Sequence, residues 1–334
     1  DRPDSDGVTR FKGDYIDQVE WEETCLHLAD VIVFWLPRDT DLPGYTTNDE
    51  WGYWKDSGKV VFGAPDDALK VKYQQHYADK LHVPSARSCT ELLDVAIAKL
   101  GAGSMRTGGE REVPLYIWNT PHFQSWYNNL RMAGNRLDHA RVEWVFLVGP
   151  ERNKVFIWSM HVDIWVESEQ RSKTNEVVLS RPDISTVVLY RRAACIEQSL
   201  VVLVREFRSP VSNSLGFVVE LPGGSSPKPT QDPLEVAAHE CEEETGLKLP
   251  ATRFGYSVSR QVAATLSTHH ASVFFAELTD QEVSWLRSQQ GVAHGVESDS
   301  ERTYVELRTF GEIQSDTDVD WSMIGMITQV LIGG

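Results

Sequence analysis

The segment that most constrains how this chain can fold is a predicted helix between two strong boundary signals. Asp232 is a good N-cap residue, and Pro233 suits the first helical position, where a backbone N–H is not needed. Gly246 can adopt the left-handed conformation that commonly ends a helix. These signals predict a helix over 233–245. Its apolar residues recur at helical spacing and form one stripe: Leu234, Ala237, Ala238 and Cys241.

The same helix carries a group of glutamates. Glu240, Glu243 and Glu244 stand at i, i+3 and i+4, so we expect all three carboxylates to share the side opposite the apolar stripe. Like charges at this spacing cost roughly 0.2–0.5 kcal/mol per pair, which a cation would offset. Oxygen ligands at this density suit Mg²⁺ or Mn²⁺ bridged to substrate phosphates, and such an ion activates a water for attack on phosphorus. The less specific interpretation is a solvated acidic helix.

The longer segment from Glu220 to Leu247 resembles the Nudix box, a glycine and a spacer followed by Arg-Glu-x-x-Glu-Glu-x-Gly and a hydrophobic residue. The matching positions are Gly224, Glu240, Glu243, Glu244, Gly246 and Leu247. His239 stands where the family has an arginine that orients its metal-binding glutamates. The first spacer is also one residue longer, with Gln231 in place of its usual glutamate. The resemblance implies a Mg²⁺- or Mn²⁺-dependent hydrolase over about residues 113–334, whose metal ligands are Glu240, Glu243 and Glu244.

The flanking sequence narrows this resemblance to ADP-ribose pyrophosphatases and other nucleoside diphosphate-sugar hydrolases. Three segments follow one another in the order found there: Arg181–Leu189, Leu203–Pro210 and Glu220–Gly224. By this resemblance Arg208 contacts a phosphate or ribose, Glu220 binds metal or substrate, and Gly224 belongs to the substrate site. A surface arginine at a strand end is the less specific interpretation of Arg208. Because family members often dimerise through N-terminal strands, residues 142–166 are expected to support a homodimer.

A second acidic group lies in a polar loop before a predicted strand and consists of Glu297, Asp299 and Glu301. Related hydrolases often place a catalytic base on a late loop. One of the three is therefore a candidate to deprotonate the attacking water, and we select Glu301. The alternative is a solvated charged loop.

The first hundred residues alternate between strand and helix patterns. Continuous apolar runs at 30–37 and 59–65 are typical of strands buried on both faces. Predicted helices lie around them at 14–29, 46–54, 67–81 and 90–100. Strands that alternate with helices indicate a parallel α/β sheet.

Helix caps and a linker between domains can also be predicted from the sequence. Thr47 or Asn48 is expected to cap the second helix, and Ser88 with Glu91 forms a capping box for the fourth. A glycine-rich stretch marks a linker at 105–112, which separates a domain at 1–104 from one at 113–334. The second domain contains runs of strands with few helices. The fold class is therefore α/β plus α+β, and the resemblance implies a Nudix α/β/α sandwich for the second part.

The first domain resembles the nucleoside 2-deoxyribosyltransferase-like family over about residues 8–100. Five stretches carry this resemblance in order: Phe11–Tyr15, Gln18–Glu22, Ala29–Arg38, Thr46–Trp54 and Ser57–Val61. The family nucleophile, a glutamate two residues before a helix glycine, corresponds to Glu50. The resemblance also implies that Asp14 and Asp30 hold sugar hydroxyls or the base, and that Asn48 or Asp49 lines the pocket. A carboxylate suits N-glycosidic cleavage, although a first-turn glutamate favoured by the helix dipole is an alternative for Glu50.

One element of that family has no counterpart here. Its members begin with a strand and a small-residue loop, and nothing before Phe11 resembles them. We expect either that an N-terminal stretch is missing, since the chain begins at Asp1 without Met, or that the domain has become a binding or regulatory module.

Charge and composition exclude some classes of partner. A net charge of −17 argues against binding to nucleic acid or to an anionic membrane. The chain has no apolar run of about 18 residues, the length a transmembrane helix needs. Its four widely spaced cysteines are typical of reduced thiols, so we expect a cytoplasmic protein.

These patterns predict a protein that acts on a small-molecule nucleotide. The leading hypothesis is a Mg²⁺-dependent Nudix pyrophosphohydrolase of ADP-ribose-like compounds, fused to a deoxyribosyltransferase-like domain. One alternative is a non-catalytic nucleotide sensor, which the change at His239 favours. The other is an N-glycosidase or deoxyribosyltransferase that acts through Glu50, with the Nudix fold as an accessory.

Overall fold

The computed structural model of this chain describes residues 15–41, 43–225, 231–296 and 301–333. It is a mixed α/β protein with parallel and antiparallel sheets, which confirms the general class predicted. The chain divides into two compact units, Asp1–Leu179 and Ser180–Gly334. The predicted linker at 105–112 lies inside the first unit, so a domain boundary there stays a prediction. No described helix is both long enough and apolar enough to cross a bilayer.

The first unit begins with alternating helices and strands. In chain order they are α1 (Tyr15–Leu28), β1 (Ile32–Trp35), α2 (Tyr45–Trp54), β2 (Val60–Gly63), α3 (Lys72–Lys80), β3 (Ser85–Ala86) and α4 (Cys89–Leu100). The strands β1, β2 and β3 form a parallel sheet in that order. The central strand β2 is buried along its whole length, as its apolar run predicts.

Helix α2 starts earlier than the sequence suggests. Its N-cap is Gly44, which has φ 60°, so the prediction of a cap at Thr47 or Asn48 is wrong. A glycine fits because other residues rarely adopt positive φ. Further along the helix, Trp51 packs against Phe34 and Phe62 and anchors α2 to the sheet. The predicted capping box of Ser88 at the start of α4 is confirmed.

The rest of the first unit is an antiparallel sheet with two helices. Its elements are α5 (Leu115–Trp118), α6 (Pro121–Met132), β4 (Arg136–Val148), β5 (Lys154–Val166) and β6 (Arg171–Ser180). The strands β4 and β5 pair antiparallel, and β6 adds a third strand next to β5. Phe123 and Tyr127 of α6 pack on this sheet near Trp158. A homodimer through these strands stays a prediction.

The second unit contains β7 (Ile184–Arg191), β8 (Leu200–Phe207), β9 (Phe217–Glu220), β10 (Gly223–Ser225), α7 (Pro233–Thr245), β11 (Gly255–Gln261), β12 (His270–Glu277), α8 (Asp280–Gln289), β13 (Ala293–His294), β14 (Thr303–Thr309), α9 (Phe310–Ser315) and α10 (Trp321–Gly333). The main sheet has the order β11-β12-β7-β8-β14-β13, with β10 on β7 and β9 on β8. Its β12–β7 pair is parallel, while the neighbouring β7–β8 pair is antiparallel.

Helices pack on both faces of this sheet. Adjacent side chains on a strand point to opposite faces, and β7 follows this rule. Val187 joins the core under α7, where it meets Ala237, and Val188 joins the core under α10, where it meets Ile327. The face under α7 carries the candidate active site.

Candidate active site

Helix α7 forms as predicted and positions two buried carboxylates. Asp232 accepts a hydrogen bond from the backbone N–H of Leu234 at 3.0 Å, and Gly246 ends the helix at φ 72°. Glu244 follows Ala237 by almost two full turns, at about 3.6 residues per turn, and therefore lies on the buried side. Because Glu244 is only 3% exposed, the expectation that all three glutamates face away from the apolar stripe is wrong for this residue.

Backbone and side-chain donors hold Glu244 in place. Its Oε2 accepts a hydrogen bond from the backbone N–H of Gly223 at 2.8 Å. The hydroxyl of Thr303 donates to its backbone carbonyl at 2.9 Å. Burial, reinforced by the charges of Glu240 and Glu220, raises the pKa of Glu244 well above its usual value, against the opposing effect of the Gly223 hydrogen bond. The carboxylate is thus fixed in position but poorly stabilised as an anion.

Glu240 lies directly against the glycine predicted for the substrate site. A Cβ on Gly224 would lie 2.7 Å from the carboxyl carbon of Glu240, so a larger residue there would require this carboxylate to move. Burial, with added repulsion from Glu243 and Glu301, raises the pKa of Glu240 to about 7.

Three acidic residues from three elements converge beside α7. One carboxylate oxygen from each of Glu206, Glu244 and Glu301 lies within 4.8 Å of the others. They come from β8, α7 and the segment before β14. The structure therefore brings together two predicted site residues with one that the sequence analysis did not single out.

Glu206, the residue that was not predicted from the sequence, is 6% exposed. Burial raises its pKa to about 7, with Glu301 and Glu220 adding to the effect and Arg208 opposing it. A signal was present in the sequence. Glu206 occupies the alternate position after Val202 and Val204 on β8, so strand periodicity places it on the same side as those core residues.

Arg208 provides the positive charge at the centre of this group. Its guanidinium lies 2.7 Å from Glu206 Oε2, 3.6 Å from Glu301 Oε1 and 3.7 Å from Glu220 Oε1. The pairing of β9 with β8 brings Glu220 to this position, because Glu220 lies opposite Val204 in the register. Burial raises the pKa of Glu220, and the charge of Arg208 partly counters that increase.

A second arginine lies near the same residues. Arg181 donates from Nη2 to the hydroxyl of Ser225 at 2.7 Å. Burial and repulsion from Arg208 lower its pKa, while Glu220 acts in the opposite direction. Two arginines near one carboxylate group can bind the two phosphates of a diphosphate.

Glu243 and His239 form a pair on the outer side of α7. Nδ1 of His239 lies 3.2 Å from Glu243 Oε2, and the side chain of His239 is 69% exposed against 19% for Glu243. The imidazole at the position of the family arginine therefore contacts one of the predicted metal ligands.

The donor set is compatible with a divalent metal. Glu206, Glu244 and Glu301 offer hard oxygen ligands, which Mg²⁺ and Mn²⁺ prefer. The raised pKa values of Glu206 and Glu244 mean that the protein alone does not compensate their negative charges sufficiently. A cation would supply this compensation, and the charges of Glu240 and Glu220 add to the repulsion at Glu244.

The residues predicted for a nucleoside site in the first unit lie in different surroundings. Asp30 pairs with Arg106. Asn48 accepts a hydrogen bond from Arg38 at 2.6 Å. Burial, with repulsion from Glu22 and Asp49, raises the pKa of Glu50. The described contacts do not join Asp30, Asn48 and Glu50 into one group.

Three candidate site residues, Asp14, Glu297 and Asp299, lie outside the described residues. Comparisons with known proteins add no assignment, because no protein-family model and no curated protein matches this chain.

Proposed function

We propose that the second unit is a Mg²⁺- or Mn²⁺-dependent pyrophosphohydrolase that cleaves a diphosphate linkage in a nucleotide. One observation carries this proposal: Glu206, Glu244 and Glu301 converge beside Arg208. Buried carboxylates with raised pKa values are typical of sites that hold a cation. The resemblance of residues 220–247 to the Nudix box is consistent with the same chemistry.

The residues divide into ligands and substrate contacts. Glu206, Glu244 and Glu240 would hold the metal, and Glu220 and Glu243 would add negative charge beside these ligands. A bound divalent ion neutralises charge on the diphosphate and lowers the pKa of a coordinated water. Arg208 exchanges its carboxylate partners for phosphate oxygens, which suit its planar guanidinium.

The proposed reaction is hydrolysis at phosphorus. Water forms a new P–O bond, the bridging P–O bond breaks, and the second phosphate leaves with the electron pair. Glu301 accepts the proton of the attacking water. Its position in the carboxylate cluster, 3.6 Å from Arg208, supports this role.

ADP-ribose-like compounds are the proposed substrate class. Arg208 and Arg181 offer two guanidinium groups for a diphosphate, and the flanking segments resemble nucleoside diphosphate-sugar hydrolases. For the first unit, the parallel order β1-β2-β3 supports the proposal of a deoxyribosyltransferase-like fold. The proposed nucleophile there is Glu50, with base release lost in Glu50→Ala as its test.

The main test is a substrate panel with the full chain. ADP-ribose, sugar nucleotides and nucleoside triphosphates are incubated with Mg²⁺, and nucleoside monophosphate release is measured. We expect turnover of ADP-ribose that falls about 100-fold in Glu206→Gln and in Glu244→Gln, because each removes a buried anionic ligand.

Glu242→Gln is the matched control, because Glu242 is on the same helix but faces Lys248 at 2.9 Å. Circular dichroism checks that each variant folds. Unchanged turnover in both Glu206→Gln and Glu244→Gln would refute the proposed site. Binding of ADP-ribose without turnover would instead identify a nucleotide sensor.

A further inference from the structure

Arg208 interacts with carboxylates that the proposed metal would also need. Its Nη2 lies 2.7 Å from Oε2 of Glu206, a proposed metal ligand, and 3.6 Å from Oε1 of Glu301. Its charge also counters part of the pKa increase of Glu240, a second proposed ligand. Two cations that bind the same oxygens repel each other and compete for them. The guanidinium of Arg208 is therefore a competitor of the metal within the protein itself.

The backbone of Arg208 is held in place, whereas its side chain is free to move. Its N–H donates to the carbonyl of Gly216 at 3.2 Å, and its own carbonyl accepts from the N–H of Val211 at 3.1 Å. The side chain is 45% exposed, against 7% for Glu206. An arginine at this exposure gains little from its ion pairs, so the guanidinium can leave the carboxylates at small cost.

The carboxylate of Glu206 cannot move away in the same manner. Glu206 lies on β8, where it pairs with Thr303 of β14 on one side and with Val218 of β9 on the other. A residue in the interior of a sheet keeps its position because both neighbouring strands hold its backbone. When a metal binds to Glu206, the side chain that moves is therefore that of Arg208.

A diphosphate offers the displaced guanidinium a new partner. Phosphate oxygens match the planar, two-pronged arrangement of its N–H donors. A guanidinium that stayed with Glu206 would instead face a divalent ion across one carboxylate, and this repulsion is strong in a partly buried site. Metal and diphosphate therefore favour the same position of Arg208, away from the carboxylates.

We propose that Arg208 is a two-position switch that couples metal binding to substrate binding. In one position its guanidinium pairs with Glu206 and Glu301, and in the other it binds the diphosphate. This inference rests on the hydrolase proposed above. It has two consequences: Arg208 weakens binding of the metal alone, and a diphosphate removes that effect. By linkage, the metal then strengthens diphosphate binding by the same factor.

Mn²⁺ binding without substrate tests the first consequence. Electron paramagnetic resonance measures free Mn²⁺ over the full chain at pH 8, where few protons compete for the carboxylates. We expect Arg208→Met to bind Mn²⁺ about tenfold more tightly than the wild-type chain, because the carboxylates no longer have to release a partner first. An arginine that only stabilises the fold predicts equal or weaker Mn²⁺ binding in this variant.

Two further variants assign the gain to this site. Arg205→Met is the matched control, because Arg205 is on the same strand, pairs with Glu306 at 3.0 Å and carries the same charge. Its Mn²⁺ affinity should equal that of the wild-type chain. Adding Glu244→Gln to Arg208→Met should abolish the tighter binding, since it removes a ligand of the same carboxylate cluster.

A nucleoside diphosphate that cannot be cleaved at its bridge, α,β-methylene-ADP, tests the second consequence. It can bond Mn²⁺ directly in either protein, so the difference between the proteins reports on Arg208. We expect it to raise the Mn²⁺ affinity of the wild-type chain at least about fivefold more than that of Arg208→Met. An equal increase in both proteins would overturn the coupling.

The outcomes separate the switch from the proposed hydrolase. Circular dichroism checks folding, and Arg208→Gln, which keeps a polar but uncharged side chain, is the second variant if Arg208→Met does not fold. Mn²⁺ affinity in these variants that equals or falls below the wild-type value overturns the switch but leaves the metal site intact. If neither the wild-type chain nor any variant binds Mn²⁺ at up to about 10 mM, the metal site and the proposed hydrolysis are both refuted.

Discussion

The first unit buries a positively charged side chain and the second unit buries negatively charged ones, and the groups that surround these charges differ. In the first unit, Lys59 is 3% exposed and donates to the backbone oxygens of Leu26 and His27 at 2.8 Å each. Burial lowers its pKa to about 8, with Asp30 acting in the opposite direction. In the second unit, carboxylates gather around Arg208, and burial raises the pKa of Glu206 and of Glu220.

The comparison distinguishes a structural charge from a functional one. The ammonium of Lys59 faces carbonyl groups near the end of α1, which stabilise a cation without any ligand. The carboxylates of Glu206, Glu244 and Glu301 face one another, and the hydrogen bond from Gly223 and the charge of Arg208 offset only part of their repulsion. A cluster of buried like charges therefore indicates a binding or catalytic site. A single buried charge that is hydrogen-bonded to backbone carbonyl groups does not.

The largest expected effect comes from Gly224. Gly224→Ala places a Cβ 2.7 Å from the carboxyl carbon of Glu240 and must displace that carboxylate. Because a ligand displaced by about 1 Å can cost about 100-fold in rate, we expect ADP-ribose hydrolysis to fall by that factor. Gly325→Ala is the control, since a Cβ there meets nothing within 4 Å. Full activity in Gly224→Ala would show that Glu240 does not act in the site.

A smaller effect is expected on the stability of the second unit as the pH changes. Glu206 and Glu240 have pKa values of about 7 in the folded chain, above the ordinary value of 4.5. The folded state therefore binds more protons than the unfolded state between these limits, and stability falls as pH rises through 7. Two such shifts correspond to about 4 kcal/mol between pH 5.5 and 8, and solvent screening of the partly exposed groups reduces the loss that we expect without metal to about 2–3 kcal/mol.

Hydrogen exchange of β8 and α7 peptides, corrected for intrinsic rates, measures this change. Glu206→Gln should reduce the slope, and Glu242→Gln should not. Added Mg²⁺ or Mn²⁺ should restore stability at pH 8 but have little effect at pH 5.5, where protons compete for the carboxylates. A stability that does not change with pH in this range contradicts the assignment of buried, repelling carboxylates.

The smallest expected effect is on the first unit, whose stability should rise with pH instead of falling. Lys59 has a folded pKa of about 8, below its ordinary 10.5, so its contribution to stability is lost as pH falls through 8. We expect urea stability to rise by about 1 kcal/mol between pH 7.5 and 9. Tryptophan fluorescence reports mainly on this unit, because of the 11 tryptophans only Trp285 and Trp321 lie in the second.

Lys59→Met should abolish this rise, and Lys72→Met, at an exposed position, should leave it unchanged. A rise that persists in Lys59→Met would assign the titration to another group.

Local signals predicted the helices with clear boundaries. Helix α7 begins and ends where Pro233 and Gly246 indicate, and Ser88 caps α4 as expected. The strands β6 and β11 were not predicted, because most of their residues are exposed and apolar alternation is absent from β6 and limited to Tyr256 and Val258 in β11. Helix α8 was also missed, although Thr279 and Glu282 form a capping box that its sequence contains.

The site was only partly predictable for a different reason. Glu240 and Glu244 share one helix, so their spacing already indicated a common role. Glu206 has no acidic partner of that kind nearby, and its neighbours Glu244 and Glu301 come from distant parts of the chain. The pairing of β8 with β14 brings Glu301 near Glu206, and the hydrogen bond from Thr303 holds Glu244 there; spacing along the sequence specifies neither contact.

The hydrogen bond from Gly223 to Glu244 joins two residues 21 positions apart. It ties the glycine strand directly to the acidic helix, so the chain between them is attached at both ends. A loop with fixed ends can gain or lose a residue at small entropic cost. The contact therefore fixes β10 to α7 whatever the number of residues that connect them, and we expect an engineered insertion in that connection to be tolerated.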